Sequence, residues 1–315
     1  MKKLIAIAVV VALLLAMAVS APVAAQGIEH HVYPGAGTPI QDAVDAAAPG
    51  DTIIVHAGTY NETVTIASDD YDLTLVGKDA VIADMADGSL LYGISLQAGC
   101  HHISISGFEI MDFDDFWDAG IEGWTGSDKP DWTFGAIHHI TVHHNNIHDN
   151  YDGINIGAWD WSAGSPPSWR HNNITIHHNE VINNVDRGIN LWAVSESNVN
   201  HNVIDDNGGD GLVFNHVSDS NANHNEIHGN DVVGLGVYNG ATGNNFNNND
   251  ITNNDNLGIL LTGWQYPTTG NTFVRNDARD NGSWDIRCIQ QWGSQVYGNK
   301  WVKNKYDDAL PDPPQ

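Results

Sequence analysis

Basic residues are scarce in this chain: 12 Lys and Arg stand against 39 Asp and Glu among 315 residues, a formal net charge of −27. That excludes the cationic patches that hold nucleic acid or anionic lipid headgroups. Neither partner is expected. Divalent cations suit such a surface, and the charge keeps an exported protein soluble. Cysteine is nearly missing as well. Cys100 and Cys288 flank a repeat array too long for a disulfide to cross. A disulfide-stapled scaffold is therefore excluded, and Cys288 sits in a core-like apolar alternation. Long apolar runs are confined to the start. Leu4 to Val19 follows Lys2 and Lys3 and precedes Val23-Ala24-Ala25. The run is short for a membrane span and is read as a secretory signal peptide over residues 1–25. The mature chain is expected to be secreted or at the cell surface, periplasmic in a Gram-negative organism, with no membrane partner.

Asparagine is what the chain has in excess. Asn145, Asn179, Asn202, Asn225, Asn249, Asn276 and Asn299 each open a phrase. A second asparagine follows five residues later, at Asn150, Asn184, Asn207, Asn230, Asn254, Asn281 and Asn304. The steps of the first series are 34, 23, 23, 24, 27 and 23 residues, the fixed beat of a solenoid. Within one phrase, Ile174-Thr175-Ile176-His177-His178 alternates apolar and polar, turns at Asn179, and alternates again at Gly188-Ile189-Asn190-Leu191. Period two over four or five residues, bounded by Asn and Gly, predicts short strands. Three strands and three turns fill one rung. Stacked rungs place the asparagines in ladders and Ile, Val and Leu inside. Gly120, Gly153, Gly188, Gly211, Gly234 and Gly258 recur at one bend, where positive φ is the expected reason.

The N-terminus differs. Pro39 to Ala48 has helical spacing, with Ile40, Ala43, Val44 and Ala47 on one face. Pro49-Gly50-Asp51 ends it, and Thr52-Ile53-Ile54-Val55 opens a strand. A helix before rungs makes a cap that covers an open edge. The segment IQDAVDAAAPGDTIIVHAGTYNETVTI, followed by LTLVG, resembles the entry to right-handed parallel β-helix proteins of the pectate-lyase-like superfamily. The later NxIxxNxxxGI rungs are similar to the parallel β-helix repeat of its NosD-like periplasmic and surface members. The resemblance covers roughly residues 33–304. It implies an all-β, single-domain right-handed parallel β-helix over residues 26–315. Residues 26–50 form the N-terminal cap, 51–304 the coils and 305–315 a C-terminal tail. The fold hosts lyases, glycosidases, epimerases and adhesins, so the site must decide function.

Two insertions interrupt the beat after the glycine-led strand, at Gly123–Ala136 and Gly157–Arg170. They carry Trp124, Trp132, Trp159, Trp161 and Trp169, with Trp117 before and Trp192 after. Indole faces suit sugar rings, and an extracellular polysaccharide is the expected partner. Beneath them run outward polar positions Glu122, Asn155 and Asn190, then bland Val213, Gly236 and Leu260. Asp118, Asp152, Asp186 with Arg187, and Asp210 lie just upstream, as a file of carboxylates. Polar groups converging in a cleft mark a site, although Asp before Gly is also ordinary turn chemistry. Asp152, Asp186, Arg187 and Glu122 are the candidate catalytic residues. Trp124, Trp132, Trp159, Trp161, Trp192, Asn155 and Asn190 are the candidate substrate contacts. In lyases of the superfamily the resemblance implies Ca²⁺ on carboxylates, here Asp118, Asp152, Asp186 and Asp210, with an Arg or Lys base. Hydrolysis would instead use two carboxylates a rung or two apart, such as Glu122 with Asp152 or Asp152 with Asp186. A non-catalytic, adhesive surface solenoid is the competing class. His144, His178, His201 and His224 form a separate column. NosD-like resemblance brings a transition metal to it, but no carboxylate or cysteine shares the column.

Overall fold

The strands predicted by alternation stack exclusively in parallel. A computed structural model of the chain describes residues 27–67, 70–85, 88, 90–126, 135–159, 170–290 and 296–310. The signal segment 1–25, Trp132, Trp161, Trp169 and residues 311–315 lie outside these. Each coil contributes one strand to a ten-stranded sheet that runs from Val64–Ile66 to Ala309–Leu310. Its other strands join an 18-stranded sheet that wraps the remaining faces, except Thr268–Thr269 and Val296–Tyr297, which pair with each other. The chain is a right-handed parallel β-helix.

Alternation fills the interior with files of like residues. Ile121, Ile154, Ile189, Leu212, Leu235, Ile259 and Ile286 are in register, and each is fully buried. Burying one such side chain contributes roughly 2 kcal/mol. Toward the C-terminus the file from Val199 changes to aromatics. Phe246, Phe273 and Trp301 stack at 4.7 and 4.1 Å between ring centres. The thiols of Cys100 and Cys288 are free, and burial pushes them up to about 12 and about 11.

Asn202 shows how the corners hold. Its Oδ1 accepts from the backbone N and the Nδ2 of Asn179, both at 3.0 Å. Its own Nδ2 donates to Ile176 O and to Asn225 Oδ1, again at 3.0 Å. The first ladder runs Asn145, Asn179, Asn202, Asn225, Asn249, Asn276 and Asn304. The second runs Asn150, Asn184, Asn207, Asn230, Asn254 and Asn281. A third corner, not anticipated from the sequence, stacks Ser197, Ser220, Asn244, Asn271 and Asn299. Asn299 therefore belongs to the third ladder and Asn304 to the first. In the last rungs all three corners carry asparagine five residues apart, so spacing alone cannot tell them apart.

Positive φ is also placed differently from expectation. It falls on the residue before each ladder member, such as His144, His178, His201 and His224, with φ of 55–56°. The recurrent glycines are required for space instead. A Cβ at Gly188 would stand 2.6 Å from Ile204 and 2.7 Å from Gly211 O.

The cap helix spans Pro39–Ala46, with Ile40 and Val44 fully buried. Thr38 makes no side-chain cap. The buried Glu62 carboxylate takes the N–H groups of Ile40 and Gln41 at 3.0 and 2.9 Å, which satisfies the helix start. Two boundaries move. Strand Glu29–Val32 already pairs with Thr52–Val55, and Ala309–Leu310 still pairs with Ile286 and Arg287.

Candidate functional site

The outward file of the ten-stranded sheet is Ser95, Glu122, Asn155, Asn190, Val213, Gly236, Leu260 and Arg287. Its polar part matches the sequence reading, yet Glu122, Asn155 and Asn190 are all under a tenth exposed. Asn190 Nδ2 donates to Asn155 Oδ1 at 2.9 Å. Among the described residues, Asn190 Oδ1 finds no hydrogen-bond partner, nor do Asn215 Oδ1 and Trp192 Nε1 further along the same face, and all three atoms are shut off from solvent.

The predicted single file of carboxylates divides in two. Asp152 is in register with Ala119, not Asp118. Extending the register back two residues from Ile154, Ile189 and Leu212 aligns Asp152, Arg187 and Asp210. Asp118, Tyr151 and Asp186 form the neighbouring file. The alternation matters because it interleaves a cation with the acids. Arg187 Nη1 lies 3.3 Å from Asp186 Oδ2 and 3.7 Å from Asp152 Oδ2. Asp152 Oδ1 also accepts the Arg187 backbone N–H at 3.0 Å. Asp152 is only 1% exposed, so it holds Arg187 from below and does not meet solvent. Burial pushes its carboxyl up to about 6 despite the guanidinium. Asp210 is also pushed to about 6 by burial, and it accepts the Tyr238 hydroxyl at 2.8 Å. Tyr238 lies across Gly236, where a Cβ would meet its ring at 2.3 Å. Asp118 is pushed to about 7 by burial and by the charges of Asp115, Asp84 and Asp114.

The proposed acid–base pairs fare unequally. Asp152 and Asp186 share one guanidinium nitrogen, which keeps their oxygens within about 7 Å. Glu122 and Asp152 are three residues and one rung apart in register, roughly 11 Å between backbones, and do not face each other. Asp118, Asp152, Asp186 and Asp210 do not converge as Ca²⁺ ligands. Two of them hold Arg187 and a third holds Tyr238. Among the described residues the one group of three metal-ligating side chains is of histidines, not carboxylates.

Of the tryptophans, Trp124, Trp159 and Trp192 come together. Trp192 meets both others edge-on, at 5.8 and 5.6 Å. His216 joins them, 5.9 Å from Trp159. On the opposite side of the polar files, Phe116 and Trp117 are 68% and 65% exposed, and Phe116 contacts Tyr151. Tyr151 and Phe116 were missed because they sit in no insertion. Residues 151 to 157 span roughly 20 Å between the two aromatic walls.

The buried His171 fixes the roots of both insertions. Its Nδ1 accepts the Ile137 N–H at 2.9 Å, and its Nε2–H donates to Gly157 O at 2.9 Å, with Thr125 Oγ1 at 3.2 Å. Protonation of Nδ1 would break the first bond, and burial holds the ring neutral, lowering it to about 4. No sequence signal distinguishes His171 from the many surface histidines.

His144, His178, His201 and His224 stack as a column, 5.0–5.1 Å apart and within 5° of parallel. Like nitrogens of such rings stand about 5 Å apart, more than twice a metal–imidazole bond of about 2.1 Å.

A family model described as "Right handed beta helix region" matches residues 162–278. No curated protein matches the sequence. The A-module of an Azotobacter vinelandii mannuronan C-5 epimerase superposes with a TM-score of 0.58 at 18% identity, over 85% of this chain and 71% of that one. A periplasmic alginate epimerase gives 0.57 at 15%, over 82% of this chain and 61% of its own. A pectate lyase gives 0.56 at 15%, over 90% and 78%. Register, ladders and these likenesses agree that the chain has the right-handed parallel β-helix fold.

Proposed function

We propose that the glycine-led face binds an extracellular polysaccharide of uronic-acid type. The observation that carries this is Arg187, a solvent-reaching cation set among acids beside the polar outward file of Glu122, Asn155 and Asn190. Arg187 gives the acidic class. Its guanidinium is held by Asp152 and Asp186 yet its side chain is 32% exposed, so it can receive a uronate carboxylate. Phe116 and Trp117 on one side, and the tryptophan cluster on the other, flank the track. The solved relatives named as epimerases and a pectate lyase share the fold, which supports a glycan ligand. Asp186 and Arg187 are the solvent-reaching groups available for chemistry on the bound chain. An exported location, secreted or at the cell surface, suits that ligand.

A panel of polygalacturonate, alginate and a neutral glucan tests the reading by affinity electrophoresis. Uronate polymers should retard the protein, and Arg187→Ala should weaken that at least tenfold. Trp192→Ala, which removes the indole face from the aromatic wall, should weaken it too. No retardation by any polymer, or an unaffected Arg187→Ala, overturns the proposal. Unsaturated ends would assign a lyase and reducing ends alone a hydrolase. Retention without product would assign a non-catalytic surface solenoid.

A further inference from the structure

Four histidines sit together on the other sheet, away from the glycine-led face. Strand His101–Met111 pairs with strand His138–His143, and His101 is directly in register with His138. His102 and His139 follow, both with left-handed backbone at φ of 58 and 56°. That backbone turns each pair of neighbouring rings edge-on rather than to opposite sides. The Nδ1 atoms of His138 and His139 are 2.9 Å apart, and those of His101 and His102 2.8 Å. Along the helix axis the His102 and His139 rings stack at 4.5 Å, closer than any pair in the His144 column. As a result one nitrogen from each of His102, His138 and His139 lies within 4.8 Å of the other two. One rung earlier, Asp72 Oδ1 stands 3.9 Å from His102 Nδ1.

We propose that His102, His138 and His139 form a binding site for a divalent transition-metal ion of tetragonal preference, Cu²⁺ or Ni²⁺. Three imidazoles with a carboxylate nearby make a donor set that suits such ions. The geometry sharpens the choice. Two metal–nitrogen bonds of about 2.05 Å at a right angle separate the nitrogens by about 2.9 Å, whereas a tetrahedral angle requires about 3.4 Å. The His138–His139 bite matches the first; His143–His144 and His177–His178 have the same 2.9 Å bite, but among the described residues only His102, His138 and His139 bring three nitrogens within reach of one another. His102 and His139 are exposed and His138 is half-buried, so an ion reaches the site without opening the coil. Hydrogen-bonded strands on both sides fix the backbone, so little ordering is needed on binding.

The test is calorimetric titration of the untagged chain with Cu²⁺ and with Ni²⁺, and electron paramagnetic resonance of the Cu²⁺ form. The expected result is one dominant site with nitrogen ligation, weakened at least tenfold in His139→Ala and in His102→Gln. His178→Ala, in the stacked column, should leave it unchanged. Circular dichroism confirms that each variant keeps its β signal, and His102→Gln serves if His139→Ala does not fold. Equal loss in His178→Ala, or no loss in either site variant, overturns the proposal and assigns the ions to surface histidines in general. Tighter binding of Zn²⁺ than of Cu²⁺ or Ni²⁺ overturns the tetragonal assignment.

Discussion

A glycine in a repeat has two distinct physical uses, freedom of φ and absence of a Cβ, and sequence alone does not separate them. At Gly153, Gly188 and Gly211 the second applies. Gly188→Ala would press a methyl against Ile204, Gly211 O and Asn207 Nδ2 at 2.6–2.9 Å. Overpacking of this kind costs about 1–3 kcal/mol. The freedom of φ lies instead on residues such as His178 and His201, where a side chain is tolerated. Asn202→Ala should cost more, because it strands the Asn179 N–H and Nδ2 and the Ile176 carbonyl together. About 3 kcal/mol is expected from unpaired buried groups. Urea unfolding of both variants checks the order, and a neutral Asn202→Ala would show that water replaces the ladder amide. The ladders were legible because every rung repeats them. The exchange of Asn299 and Asn304 was not, since identical spacing at three corners erases their identity.

Insertions were legible as breaks in the 23-residue beat, but what fixes them to the coil was not. Strands Ala119–Gly126 and Asp152–Trp159 run in register as far as Gly126 and Trp159, further than the sequence suggested. His171 then holds Thr125, Ile137 and Gly157, partners 46, 34 and 14 residues away. Such contacts exist only once rungs are stacked. The clamp has a pH signature. The folded value of about 4 lies below the ordinary value of 6.5. Its stabilisation is therefore complete above pH 6.5 and is lost as pH falls toward 4. His216 acts in the same direction, whereas Asp118, Asp152 and Asp210, raised in the fold, gain as pH falls. A difference measurement isolates the clamp. Between pH 7 and 4.5 wild type should lose about 2 kcal/mol relative to His171→Gln. Parallel pH profiles of the two proteins would show that His171 does not take up a proton on unfolding.

At the scale of the whole coil, fold and charge were readable and the site only in part. A period fixes which rung a residue belongs to. It does not fix the single-residue register that separates Asp152, Arg187 and Asp210 from Asp118, Tyr151 and Asp186. That one-residue difference converts a supposed row of acids into acids interleaved with a cation. Charge is less sensitive to register, because 39 acidic against 12 basic residues leave most carboxylates without a counter-ion. Stacking at about 4.8 Å per rung brings like charges close. Asp112 is raised by burial and by Asp149 and Asp114 at such a junction. Asp277, held far below its ordinary value by Arg279 and Lys305, is an opposite case. Raising NaCl from 0.01 to 1 M shortens the screening length from about 30 Å to about 3 Å. Screening weakens both kinds of interaction, so the sign of the response tells which dominates. With repulsions more numerous than pairs, Tm should rise by several degrees, since about 1 kcal/mol is worth roughly 2–4 °C in a chain of this size. A fall in Tm would mean that pairs such as Asp277 with Arg279 and Lys305 outweigh the repulsion, and that the acidic surface is shaped by something other than rung-to-rung contact.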